Sequence, residues 1–178
     1  MIEVEVKLKI DNIDEISEKL LNQEYHKSRV VRETDVYFNA EDHDFRTTDE
    51  ALRIRKVESL DGLPLIADGS AEDVLTLLTY KGPKLDDVSM TRKEIETIVE
   101  DFDKMSAILE SLRFHPVRPV VKCRTEFLSE YVAACVDEVE GLGSYLELEV
   151  MVDSEEDKAE ALKLIEDELG KLGYSMDD

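Results

Sequence analysis

No run of about 18 apolar residues occurs in this 178-residue chain, so no membrane-spanning helix is expected. The amino terminus, MIEVEVKLKI, alternates charged with apolar residues instead of setting a basic segment before an apolar one, so a secretory leader is not expected and the chain reads as cytoplasmic. Cysteine is scarce: Cys123 and Cys135 lie in apolar, strand-like segments without CxxC or Cys/His spacing, and read as reduced core residues. The three histidines, His26, His43 and His115, stand apart with no zinc-like spacing. Neither GxxxxGK[ST] nor GxGxxG is present, so no phosphate is expected at a helix amino terminus. Positive charge is outnumbered, 22 Lys and Arg against 44 Asp and Glu, and the resulting formal charge of −22 repels nucleic-acid backbones and anionic membranes. Internal repeats and low-complexity tracts are missing as well.

What remains is enough chain for a single domain over 1–178 with a real core. Ile2 to Ile10 alternates with period two, apolar on one face and Glu3, Glu5, Lys7 and Lys9 on the other, which is a strand. Asp11 and Asn12 cap a short helix carrying Ile13, Ile16, Leu20 and Leu21. Further strands are predicted at about Ser28 to Asn39, Ala51 to Val57, Val74 to Lys81, Thr91 to Val99, Val120 to Ser129, Tyr131 to Val139 and Ser144 to Val152. A second helix is predicted over Phe102 to Phe114, and a third starts at Ser154 as its cap and ends at Gly173. The Gly, Pro and Asp-rich segment from Glu58 to Asp73 reads as a mobile excursion between two strands, either a passive surface loop or a lid. Many antiparallel-type strands punctuated by three helices favour an α+β fold with a large sheet or barrel.

The strands carry charge in like-signed doublets at i and i+2: Glu3/Glu5, Lys7/Lys9, Arg53/Arg55, Glu94/Glu96, Lys122/Arg124 and Glu147/Glu149. On an open sheet such residues form a solvated outer face. That face would ordinarily mix in Thr, Ser, Gln and Asn, whereas two carboxylates at about 4 Å repel by roughly 4 kcal/mol at an effective dielectric near 20. The acidic doublets therefore ask for cations, and their oxygen-only ligands suit Mg²⁺ or Mn²⁺. The basic set, including Lys81 and Arg92, asks for an anion, and guanidinium forks match phosphate oxygens.

These residues resemble the CYTH domains, or triphosphate tunnel metalloenzymes, and most closely the class IV adenylyl cyclase-like and thiamine triphosphatase-like members. The opening ExExK is Glu3 to Lys7, followed in the family's order by TDVYF (Thr34 to Phe38), ALRIR (Ala51 to Arg55), LTYKGP (Leu78 to Pro83), RKEIE (Arg92 to Glu96), VKCR (Val121 to Arg124) and DEVEGLGSYLELE (Asp137 to Glu149). The resemblance implies an eight-stranded antiparallel β-barrel with charged faces inward and helices outside, and hence one cavity shared by both kinds of doublet. It implies metal ligation by Glu3, Glu5, Asp137, Glu147, Glu149 and one of Glu94 or Glu96. It further implies a triphosphate clamp of Lys7, Arg53, Arg55, Lys81, Lys122 and Arg124, with Arg92 as a weaker member, and of these Lys7, Arg53, Arg55, Lys81 and Arg124 as the catalytic cations. A carboxy-terminal lysine used by some members has Lys163 and Lys171 as candidates, while Tyr37 and Tyr80 are expected to pack in the wall.

The expected activity is metal-assisted attack at phosphorus on a small-molecule triphosphate. With a ribose 3′-hydroxyl as attacker the reaction converts ATP to cyclic AMP and pyrophosphate; with water it is hydrolysis of inorganic, nucleoside or thiamine triphosphate. A non-catalytic polyphosphate or nucleotide binder is the third reading, and a homodimer is implied by the likeness to class IV cyclases.

Overall fold

The computed structural model describes residues 2–67, 69–84 and 92–178. In chain order the elements are β1 (Ile2–Ile10), α1 (Ile13–Leu21), β2 (His26–Ala40), α2 (Phe45–Thr48), β3 (Ala51–Ser59), β4 (Leu65–Ala67), β5 (Ser70–Glu72), β6 (Val74–Lys84), β7 (Arg92–Ile98), α3 (Phe102–Ser111), β8 (Phe114–Pro116), β9 (Val120–Leu128), β10 (Ala133–Val139), β11 (Gly143–Val152) and α4 (Lys158–Leu172), with a 3₁₀ turn over Glu155–Asp157. Thr91, expected to open a strand, lies outside the described residues. The chain divides into two compact units, one built from Met1–Arg29 and Cys123–Asp178, the other from Val30–Lys84 and Arg92–Lys122. The expected α+β architecture of eight long antiparallel strands with packed helices is present: the order is β1-β11-β10-β9 in the first unit, β9 from Cys123 on, and β2-β3-β6-β7 in the second, β2 from Val30 on, with the short β8 beside β2.

In the first unit the period-two alternation divides the strands cleanly. Val4, Leu8 and Ile10 of β1, Ala134 and Val136 of β10, and Leu146, Leu148 and Val150 of β11 are buried with Ile16 and Leu20 of α1 and Ile165, Leu169 and Leu172 of α4. Each fully buried aliphatic side chain contributes about 1.5–3 kcal/mol, so this layer anchors the unit. The intervening residues, charged ones among them, point to the opposite face. Helix α1 starts where the Asn12 side chain accepts from the Glu15 amide at 3.2 Å, and α4 ends on Gly173, whose φ of 92° is the left-handed conformation a glycine C-cap supplies. The turn joining β10 to β11 places Gly141 and Gly143 at φ of 74° and 99°, which explains both glycines of the DEVEGLGS segment.

The second unit repeats the division. Phe38, Ile54 and Leu109 are buried together, with Val36, Leu52, Leu78, Phe102, Met105 and Phe114 packed against them, so α3 covers the even-numbered face of β2, β3 and β6. On the odd-numbered face Val31, Val57 and Leu65 form a separate apolar cluster with Leu75 and Leu77.

Several local expectations are corrected. The 58–73 excursion contains the β4–β5 hairpin, and its Leu65 is 2% exposed, so the segment is anchored by apolar burial and is no passive loop. Ser154 makes no capping hydrogen bond to backbone; its hydroxyl donates instead to the Asp157 carboxylate at 2.7 Å, and the helix proper begins at Lys158. Helix α3 stops at Ser111 because Phe114–Pro116 is drawn into pairing with β2. The four-residue α2, capped by Asp44, was too short to register as helical periodicity. Both cysteines are free, but only Cys135 is buried; Cys123 is exposed. No helix among the described residues is long and apolar enough to cross a membrane.

Candidate functional site

The antiparallel register of β1, β11 and β10 assembles an acidic face in the first unit. Glu5 sits opposite Glu149 and Lys7 opposite Glu147, while Cys135 faces Glu147 from the other side of β11. Five carboxylates, Glu3, Glu5, Asp137, Glu147 and Glu149, thereby share one face with the cations Lys7 and Arg124. Arg124 grips Asp137 bidentately, Nε to Oδ1 and Nη2 to Oδ2 both at 2.7 Å, and also donates to Glu147. Lys7 donates to the other Glu147 oxygen. Asp137 is wholly buried, and Arg124 and Glu147 are nearly so. Burial works against the Lys7 ammonium, but Glu147, with Asp137 and Glu5 behind it, holds its pKa above the ordinary value.

Glu149 is in the opposite situation. Arg124 approaches it only to 3.9 Å, and the Cys135 thiol lies 4.0 Å away. Burial first, then the charge of Glu3 and of Glu147 and Glu5, raises its pKa to about 8 in spite of Arg124. The acidic face is therefore short of positive charge.

The second unit carries a face of different balance. Glu33 and Asp35 on β2 stand beside Arg53 and Arg55 on β3, with Asp35 directly opposite Arg55. Arg55 forms the fork, Nε to Oδ1 at 2.7 Å and Nη2 to Oδ2 at 2.8 Å of Asp35, and reaches Glu33 at 2.9 Å. Lys122 meets Glu33 at 3.1 Å. Further along, Lys81 pairs with Glu94 at 2.5 Å and the buried Thr79 hydroxyl donates to Glu96 at 2.7 Å. Arg92 is held away from these groups by Asp49, at 3.0 Å to its carboxylate and 2.6 Å to its carbonyl oxygen. Burial opposes the Asp35 carboxylate, yet Arg55, Arg53 and Lys122 outweigh it and keep its pKa below the usual range. Arg53 is the exception to this pairing: 7% exposed, it reaches Asp35 only at 3.5 Å through Nη1, and its buried Nε has no partner.

A solvated outer face is thus excluded for Arg53, Lys122, Arg124, Asp137 and Glu147, all buried, whereas Glu94 and Glu96 lie on the exposed strand β7. Lys171 is engaged by Glu168 at 2.6 Å and Lys163 is exposed. The Tyr80 hydroxyl donates to Glu50. Glu33, Asp35, Thr79 and Cys135 complete the two faces; none was given a role at the site from the sequence, although Asp35 lies in the TDVYF segment and Cys135 was read as a core residue. Glu33 and Asp35 are themselves an acidic i, i+2 doublet, so the spacing rule already contained them.

A divalent cation, which the CYTH resemblance implies, finds suitable donors on the acidic face: oxygen ligands only, in a group whose Glu149 is starved of positive charge. Glu3, Glu5 and Glu149 are the residues that would hold it. Asp137 and Glu147 are taken up by Arg124 and Lys7 here, and no three His, Cys, Asp or Glu among the described residues are gathered into a metal cluster. The residues fit such an ion by donor type and charge rather than by a preassembled cage.

An antiparallel α+β protein with charge-bearing strand faces set against helix-covered apolar ones is the class these observations define. The CYTH domain family matches residues 1–178, and the chain belongs to that family. It is 40% identical over 178 residues, 100% of this chain and 93% of the relative, to a Methanocaldococcus jannaschii protein named "Putative adenylate cyclase MJ0240". Among solved structures it resembles the PH1819 protein of Pyrococcus horikoshii OT3, with a TM-score of 0.83, 37% identity and coverage of 97% of this chain and 91% of the other. The fold also matches a "Putative adenylyl cyclase HpAC1" from Hippeastrum, described as having a dominant triphosphatase activity, at a TM-score of 0.63, 20% identity and coverage of 96% and 88%.

Proposed function

We propose that this CYTH protein is a divalent-metal-dependent enzyme acting on a triphosphate, with the first-unit carboxylates Glu3, Glu5 and Glu149 serving the metal and the second-unit cations, Arg53 foremost, serving the phosphates. One observation carries the reading: a nearly buried guanidinium, Arg53, keeps an unpaired Nε although the Asp35 carboxylate lies 3.5 Å from its Nη1. An orphaned buried donor costs about 1–3 kcal/mol, and a phosphate oxygen would offset that cost.

The first reaction assigned is cyclisation of ATP, in line with the family resemblance and the 40% identical relative's name. The ribose 3′-oxygen bonds to the α-phosphorus, the bond from that phosphorus to the bridging oxygen breaks, pyrophosphate departs and the hydroxyl proton is released. A bound metal ion supplies Lewis-acid neutralisation of the phosphate oxygens. Lys7, Arg53, Arg55, Lys81, Lys122 and Arg124 orient the phosphates and stabilise charge on the leaving group. Hydrolysis of a triphosphate by water is the second reading, favoured by one fact: among the described residues, the charged groups named on the two faces suit phosphate or metal, and none of those groups selects a base.

Incubation with ATP or inorganic triphosphate, with Mg²⁺ or Mn²⁺, followed by product separation tests the assignment. Cyclic AMP supports the cyclase and orthophosphate the hydrolase; binding without turnover sinks both.

A further inference from the structure

We propose that a cavity at the start of β10, in the first unit, holds the organic end of the triphosphate substrate, and that this end is an amine-bearing ring. The inference rests on the triphosphate reading and names the substrate class within it. The ladder between β10 and β11 begins at Ala133, opposite Glu149, whereas β11 runs on to Val152 paired with β1. The gap this leaves beside β11 is bounded by the first turns of α4 and by the β9–β10 turn, which the Ser129 amide closes by donating to the Val132 carbonyl at 3.0 Å. It is a cavity of about 620 Å³, within the roughly 300–1,000 Å³ of small-molecule sites.

The floor is apolar: Val132, Val150 and Ala161 are buried, and Leu164 packs against the same core. Tyr131 and Met151 stand on the lip, 67% and 54% exposed, and large apolar side chains grouped at a concave site are surface that a ligand covers. The Tyr131 hydroxyl donates to Glu130 at 2.7 Å, which leaves the ring for stacking. Asp153, Asp157 and Glu160 rim the cavity, Glu130 and Glu149 also line it, and none of the described lining residues is a Lys, Arg or His. Ionised carboxylates accept hydrogen bonds and donate none, so the cavity turns a polyphosphate away and takes N–H donors, while a carbonyl edge finds no partner in them. Glu149 belongs to the acidic face as well, opposite Glu5, so the cavity adjoins the carboxylates assigned to the metal. It offers a ring the contacts that the charged faces lack.

The test is calorimetric binding of inorganic triphosphate, ATP, CTP and UTP, in EDTA and again with Mg²⁺ on ice. The proteins are wild type, Tyr131→Ala and the double variant Asp153→Asn with Glu160→Gln. Cytosine and uracil differ at one edge, amine against carbonyl, so wild type is expected to bind CTP about fivefold or more tighter than UTP. Tyr131→Ala is expected to weaken ATP and CTP about tenfold, as loss of a stacking platform does, while inorganic triphosphate changes less than about twofold. In the double variant, whose amides donate as well as accept, the preference for CTP is expected to shrink to within about twofold. Tyr131 is mostly exposed, so its variant is expected to keep the wild-type melting temperature; Met151→Ser on the same lip gives the same pattern and serves if it does not. Equal affinity of wild type for CTP and UTP overturns the assignment. So does a Tyr131→Ala protein that binds ATP as wild type does, or that loses ATP and inorganic triphosphate equally. Failure of wild type to bind inorganic triphosphate under either condition instead overturns the functional reading beneath it.

Discussion

The two charged faces are built by the same device and reach opposite balances. In both units period-two strands present apolar residues to helices and charged residues to the other side. In the first unit carboxylates outnumber cations, and the surplus appears as a Glu149 carboxyl held at about 8. In the second, Glu33 and Asp35 meet the arginines and Lys122, Asp35 is held low, and the remainder is an underused Arg53. The difference teaches that like-charged doublets do not by themselves name a ligand; what counts is the charge left over after internal pairing.

The sharpest break in the comparison is Glu149→Ala or Glu3→Ala, which removes first-unit surplus. Metal-dependent turnover is expected to fall by at least about a hundredfold, while metal-free stability holds or rises because like-charge repulsion is relieved. A folded Glu149→Ala protein with wild-type turnover would falsify the metal assignment. Next in size is Asp137→Ala, which strands the nearly buried Arg124 without its bidentate partner. A loss of about 3–5 kcal/mol in denaturant unfolding is expected, as for other broken buried pairs. A surface-like loss under 1 kcal/mol would show that water compensates Arg124 there. Leu65→Ala should cost about 2–4 kcal/mol by opening a cavity in the small apolar cluster of the second unit. A loss within a few tenths of a kcal/mol would return the 58–73 segment to the standing of a passive loop.

Much of this was legible beforehand, and the misses have physical causes. Strand alternation from Ile2 to Ile10 and the Asn12 cap were readable because period and capping are local properties. The hairpin inside 58–73 was not, since its order depends on Leu65 packing with Val57 and with Val31, which is distant in sequence. The Asp137–Arg124 pair was not legible either, because it joins residues of two neighbouring strands, β9 and β10, and spacing along one strand does not show such a partner. Glu33 and Asp35 form an acidic doublet of identical spacing, and their role as counter-charge to Arg55 and Lys122 depends on pairing between strands that spacing along β2 does not reveal.

A last effect separates the two faces by pH. Glu149 has its folded pKa raised to about 8 from 4.5, so the folded protein binds a proton that the unfolded chain releases between those values. Its contribution to stability is full below pH 4.5 and is lost as pH rises toward 8. Asp35 behaves inversely: its folded pKa is lowered from 3.8, so its contribution is present above that value and is lost as pH falls below it. Metal-free protein should therefore lose stability from both directions, the first face as pH rises from 4.5 toward 8 and the second in acid. One proton of difference gives a slope approaching about 1.4 kcal/mol per pH unit, and each kcal/mol is worth about 2–4 °C in a domain of this size. Melting curves in EDTA between pH 5 and 8 should show that decline in wild type and a flatter profile in Glu149→Gln. Added Mg²⁺ should raise the wild-type melting temperature more at pH 8 than at pH 5, because a cation competes with the proton for the same carboxylate. Parallel wild-type and Glu149→Gln profiles, with no Mg²⁺ effect at either pH, would erase the charge difference between the faces.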